Sequence, residues 1–187
     1  MAVYTKINSK DVSLLASKYR LGRIIKFQGI KKGIENTNYL LITNKNKYIL
    51  TIFEKRVKRK DLPFFMQLMD SLYNQKINCP RPLKDKDGKY LTLIKKKTAC
   101  VVTFLKGKDK QKLDVKNCYE VGKNIGKFHK ASNKLKLYRR NSMSINSLNS
   151  LLKSINFKSK KITPNLKKVL EVSLKEIKKD WPTNLPT

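Results

Sequence analysis

The sequence predicts an α+β protein, a small helix-bearing antiparallel sheet of about five strands followed by an all-helical segment. Three observations lead there. Between Ile24 and Phe53, three short apolar-rich stretches are separated by Gly/Asn turns, the pattern of antiparallel strands. Thr98 to Leu105, TACVVTFL, is nearly all apolar and suits a strand buried on both faces. From Asp114 onward, apolar residues recur only at helical spacing.

In chain order, Val3 to Lys6 alternates weakly and reads as a short edge strand. Ser9 is the expected N-cap of a first helix, with Asp11 near the positive end of its dipole. That helix carries Val12, Leu15, Ala16 and Tyr19 on one face and ends at Gly22. Strands are expected over Ile24 to Ile30, Asn38 to Thr43 and Lys47 to Phe53. The turn KKGIENTN joins the first two, and its Gly33 and asparagines tolerate positive φ. Asn44-Lys45-Asn46 closes the second hairpin. After a charged connector, EKRVKRKD, Asp61 is the expected cap of a helix with Pro63 in its first turn. Leu62, Phe65, Met66, Met69 and Leu72/Tyr73 recur at helical spacing and should pack on the sheet. Cys79-Pro80-Arg81-Pro82 forces extended chain, Asp87-Gly88 turns it, and Tyr90 to Ile94 is the next strand. Lys95 to Lys97 turns into Thr98 to Leu105. Asp114 then caps a helix with Val115, Cys118, Tyr119, Val121, Ile125 and Phe128 as its apolar positions. Gly122 and Gly126, four apart, predict close approach of another element. Further helices are expected over Ile145 to Phe157 and Pro164 to Asp180, with Trp181-Pro182 as the stop.

The 187 residues suffice for one domain or two small lobes, and 40% hydrophobic content argues for a folded protein. No apolar run approaches the ~20 residues of a membrane span. The opening MAVYTKINSKD lacks a signal-peptide core, so a cytoplasmic protein is expected. Cys79, Cys100 and Cys118 are widely spaced, form no metal pattern and read as buried free thiols. The net charge of +31 comes mostly from Lys spread along the chain. A nucleic-acid binder usually concentrates its charge in an Arg-bearing patch with interleaved aromatics. A basic nucleic-acid-binding protein is therefore the alternative function, with non-specific polyanion attachment the minimum the charge implies.

The order of a sheet with a Gly/Asn turn, a buried strand, a polar linker and a helix reading VGKNIGKFHKAS resembles the aminoglycoside phosphotransferase-like branch of the protein-kinase superfold. More narrowly, FQGIKKGIENTNYLL, YILTIFEKRV, DLPFFMQLMDSL, CPRPLKDKDG and VVTFLKGK resemble the bacterial homoserine kinases of that branch, in order and across essentially the whole chain. The resemblance implies a β-rich nucleotide-binding lobe over 1–105, a linker over 106–113 and the beginning of a helical lobe over 114–187. It implies ATP- and Mg²⁺-dependent transfer of the γ-phosphoryl group to the hydroxyl of L-homoserine, in threonine biosynthesis. Carried onto these residues, the phosphate turn is Gly33, Ile34, Glu35, Asn36, Thr37 and Asn38. Thr103, Phe104 and Leu105 would meet the adenine, and Ile49 would press on it from above.

Two departures from the general kinase pattern follow from that comparison. The strand Lys and helix Glu that grip the phosphates are replaced by Thr51 and Phe65, a paired loss that strands no lone charge. Lys55 and Asp70 are the candidates to replace them. The HxDxxxxN loop and the metal-binding Asp have no counterpart in the sequence, so the catalytic and metal residues are expected beyond Thr187. The sole histidine, His129, reads as structural. The chain is thus expected to be the N-terminal part of such a kinase and inactive alone, with a truncated kinase-like binding module as the other reading.

Overall fold

The computed structural model describes residues 3–55, 57–107, 110–141, 144–155, 163 and 165–180. By compactness the chain forms two units, Met1–Tyr138 and Arg139–Thr187.

The first unit is built on five antiparallel strands: β1 (Ile24–Gly29), β2 (Thr37–Thr43), β3 (Lys47–Ile52), β4 (Leu91–Ile94) and β5 (Lys97–Thr103), in the order β1-β2-β3-β5-β4. Five of the predicted strands are present, with ends moved by one or two residues, and the edge strand expected over Val3 to Lys6 is not formed. Leu50 of β3 faces Tyr39 of β2 and Val101 of β5, which sets the register of the central strands. The hairpin between β4 and β5 is made by Lys95 and Lys96, at φ 48° and 63°, the left-handed pair that a tight turn on twisted strands needs.

Because successive side chains alternate in direction, each central strand feeds two clusters. Leu50 and Ile52 of β3 join Ala99 and Val101 of β5 under α1 (Ser9–Lys18), whose Val12, Leu15 and Ala16 complete that core. On the other face, Ile49, Cys100 and Val102 meet Phe65, Met66 and Met69 of α2 (Leu62–Asn74). Ala99 through Val102 are all buried, as a strand covered on both faces requires.

Several local expectations change. The segment 3–8 pairs with no strand; the Tyr4 and Thr5 amides donate to the Thr37 hydroxyl at 3.0 and 3.1 Å. The cap of α1 is Asn8, one residue earlier than expected, in a reciprocal box with Asp11 (2.9 and 3.0 Å). Gly22 lies beyond the helix end at φ 91°, and a Cβ there would sit 2.4 Å from Asn44 Oδ1, which accepts the Arg23 amide at 2.8 Å. Asp61 ends a short 3₁₀ turn (Arg59–Asp61) and makes no capping bond to α2, while Pro63 does sit in the first turn.

The helix α3 (Val115–Ser132) starts as expected, with Asp114 accepting the Asn117 amide at 2.7 Å. Its expected core face is exposed, from 38% at Phe128 to 86% at Val115. A Cβ on Gly122 or Gly126 would meet nothing within 4 Å, so among the described residues the close approach predicted there is not made. In the second unit α4 (Ile145–Ser154) and α5 (Leu166–Lys179) pack together, α4 being capped by Ser144. The expected helix limits at Phe157 and Pro164, and the Trp181-Pro182 stop, lie outside the described residues.

Candidate functional site

On the α2 face of the sheet lies a cavity of about 680 Å³, within the range of small-molecule sites. Ile49 and Thr51 of β3 and Cys100 and Val102 of β5 form its wall, and Phe65, Met66 and Met69 of α2 lie across from them. Among the described residues no charged side chain lines it. Its polar groups are few: Asn36 and Asn38 at the turn before and into β2, Thr51 on β3 and Thr103 at the end of β5. The Thr51 hydroxyl donates to Asn38 Oδ1 at 2.8 Å, leaving the amide NH₂ as that side chain's donor. Asn36 Oδ1 accepts the Glu54 amide at 3.4 Å, tying the turn to the end of β3. An open, largely apolar cleft with a few fixed polar groups suits a flat, largely apolar ring system bearing a polar tail.

The sequence-predicted residues divide between this cavity and its surroundings. Asn36, Asn38, Ile49, Thr103, Phe104 and Leu105 line it together. Gly33, Ile34 and Glu35 lie in the exposed turn that precedes it, with Gly33 at φ 112°, a conformation that side chains with a Cβ rarely adopt. Thr37 belongs to the opposite face: its buried hydroxyl accepts the Tyr4 and Thr5 amides and donates to Glu54 Oε1 at 2.7 Å. Phe53, Val57, Pro80 and Cys100 also line the cavity and were not singled out from sequence. For Cys100 the signal was available, since strand alternation turns it with Val102 to the α2 face. Burial pushes its thiol up to about 12, so it stays protonated.

Thr51 and Phe65, the positions given to the missing Lys and Glu, both line the cavity. The suggested replacement pair does not form. Asp70 is instead bound to Arg81 Nε at 2.9 Å and to the Tyr90 hydroxyl at 2.8 Å, while Lys55 is exposed. Burial works to raise the Asp70 carboxyl, but the Arg81 and Tyr90 bonds outweigh it and hold it below the usual range. Arg81 in turn exchanges backbone bonds with Thr103: its amide donates to Thr103 Oγ1, and the Thr103 amide donates to its carbonyl, both at 2.9 Å. Asp70 thereby braces the strand end that forms one cavity wall. Sequence could not find this because it joins three separate elements.

A second polar cluster lies behind the turn. Glu54 accepts hydrogen bonds from Thr5 and Thr37, both at 2.7 Å, and from Lys97. Burial alone would raise its carboxyl; the bonds from Lys97, Thr5 and Thr37 outweigh that and hold it below the ordinary value. Among the described residues no group of three or more His, Cys, Asp or Glu is placed to hold a metal ion. His129 is exposed on α3 beside Phe128, with ring centroids 6.1 Å apart. No helix among the described residues is long and apolar enough to cross a membrane.

Comparison with known proteins agrees with this architecture. Full-length matches include the homoserine kinases of Bartonella tribocorum (35% identity over 187 residues), Bradyrhizobium diazoefficiens (36% over 187) and Rhizobium meliloti (36% over 186). They cover all of this chain, which spans 57 to 59% of their own length. Among solved structures, a spectinomycin phosphotransferase crystallised with ADP and spectinomycin superposes with a TM-score of 0.57 at 15% identity, over 94% of this chain and 54% of its own. That likeness shows the fold, a protein-kinase-like sheet lobe followed by helices. The profile described as the phosphotransferase enzyme family matches residues 26–187, from the first strand through the helical segment, and the chain belongs to that family.

Proposed function

We propose that this chain carries the nucleotide-binding part of an ATP-dependent homoserine kinase. The observation that supports it is the largely apolar cavity in which Ile49 and Thr103 to Leu105 line the same slot as Asn36 and Asn38. In this reading the adenine lies against Ile49, Val102 and the α2 side chains. Backbone groups at Thr103 to Leu105 would meet its edge, and the turn from Gly33 to Asn38 would receive the phosphates. A glycine at φ 112° suits that task, because it exposes backbone amides with no side chain in the way. The relatives' names support homoserine as the acceptor, and the same reading places the reaction in threonine biosynthesis. The transfer step needs a base and Mg²⁺ ligands, which we assign to the part of the relatives that this chain does not span. The same reading divides the kinase into a lobe over 1–105, a linker over 106–113 and a helical lobe from 114, and places the protein in the cytoplasm.

Titration of the purified chain with adenosine, ADP and inorganic polyphosphate at two salt concentrations tests this reading. Adenosine has no phosphate, so its binding should persist at high salt, and ADP should bind more tightly than adenosine. Gly33→Val should weaken ADP several-fold, because it forces a β-branched residue into a left-handed conformation. Polyphosphate binding should ignore Gly33 and fall steeply with salt. If adenosine does not bind and polyphosphate binds both proteins equally, the charge of +31 alone accounts for the behaviour and the nucleotide reading is lost.

A further inference from the structure

We propose that the amino-terminal segment is a clamp on the phosphate turn, with Tyr4 as a positioning residue for nucleotide; this rests on the nucleotide reading above. The turn 31–36 is exposed and carries no strand pairing of its own. Besides the Asn36–Glu54 bond at its far end, a bond reaches it beside Gly33: the Tyr4 hydroxyl donates to the Ile34 carbonyl at 3.0 Å. Ile34 is adjacent to Gly33, whose φ of 112° sets the course of the turn.

Tyr4 can act this way because its backbone is anchored. Its amide and that of Thr5 donate to the Thr37 hydroxyl at 3.0 and 3.1 Å, and the Thr5 carbonyl accepts from Tyr39 Oη at 2.9 Å. The Thr5 hydroxyl reaches Glu54 Oε1 at 2.7 Å and accepts from Lys97 Nζ at 2.7 Å. Val3 packs against Gly29, where a Cβ would lie 2.9 Å from a Val3 methyl. The segment is thus pinned to β1, β2, β3 and β5 on the face of the sheet opposite the cavity. From that face the Tyr4 side chain extends to the turn, and 55% of Tyr4 stays exposed, so its ring adds little to the core. A residue with anchored backbone, an exposed ring and one bond to a catalytic-type turn restricts the turn more than it stabilises the fold. The clamp keeps Gly33 to Asn36 in one conformation, so less ordering remains to be done when a phosphate arrives.

The variant Tyr4→Phe removes the hydroxyl and keeps the ring. In the full chain, amide hydrogen exchange at Gly33 to Asn36 without nucleotide should quicken, while exchange in β2 and β3 stays as in the wild type. ADP affinity should fall about three- to ten-fold, the effect of one hydrogen bond, with adenosine affinity and the melting temperature unchanged. Unchanged exchange in the turn would overturn the clamp whatever happens to binding. Faster exchange with ADP affinity intact would show that the clamp has no bearing on phosphate. Equal losses for ADP and adenosine would mean general loosening and would likewise overturn it. If the wild type binds neither ligand, the nucleotide reading itself fails, and Tyr4 loses its role with it.

Discussion

Strand β5 and helix α3 make equal claims to burial in the sequence and meet opposite fates. Ala99, Cys100, Val101 and Val102 are 0 to 8% exposed, whereas Val115, Tyr119, Val121, Ile125 and Phe128 are 38 to 86% exposed. The difference lies in their surroundings. β5 sits between β3 and β4, with α1 on one face and α2 on the other, so both sets of its side chains are covered. α3 has a helical apolar stripe of the kind that seeks a partner, and its contact with the rest of its unit runs through α2 and a Gln75–Ala131 hydrogen bond at 3.2 Å. Amphipathic spacing states which face wants to be covered and is silent about what covers it.

The contrast is sharpest for core truncation. Leu50→Ala in β3 removes a side chain with 0% exposure at the centre of the main cluster, and should cost about 2–5 kcal/mol in urea unfolding. A loss below about 1 kcal/mol would mean that the sheet core is not the main source of stability.

A smaller effect is expected at Glu54, which joins the amino-terminal segment to β2 and β5. Glu54→Gln should cost about 1–2 kcal/mol near neutral pH, by weakening the bonds to Lys97, Thr5 and Thr37. Its folded pKa lies below the ordinary carboxyl value, so its contribution is complete above that value and is lost as pH falls through the lower, folded one. The wild type and the variant should therefore converge as the medium is acidified toward about pH 3, and a gap that stays constant would contradict the ionic role.

The smallest effect belongs to α3. Ile125→Ser, at a position 51% exposed, should change unfolding stability by no more than about 0.5 kcal/mol. It should also reduce self-association in sedimentation, because exposed apolar stripes drive it. A loss comparable to that of Leu50→Ala would show that α3 is covered in solution and would erase the contrast with β5.

Parts of the candidate site were named through the family resemblance, and local pattern accounts for where they lie. Asn36, Asn38, Ile49 and Thr103 to Leu105 stand beside turns or in alternating strands, where turn chemistry and strand period set direction. Thr37 shows the limit of that method: one residue from Asn38, it projects to the other face and serves Tyr4, Thr5 and Glu54. Asp70 shows another, since its partners Arg81 and Tyr90 lie 11 and 20 residues away on different elements. No spacing rule connects them.

What this sequence determined by itself was the set of elements: five strands with their turns, the helices at Ser9–Lys18, Leu62–Asn74 and Val115–Ser132, and their apolar faces. Those follow from backbone sterics and side-chain period, which act over a few residues. Only the tertiary structure decided that β5 runs between β3 and β4, that Asp70 binds Arg81, and that the amino-terminal segment reaches the turn before β2. Such contacts depend on which covered arrangement satisfies the most buried polar groups at once, and that is a property of the whole chain.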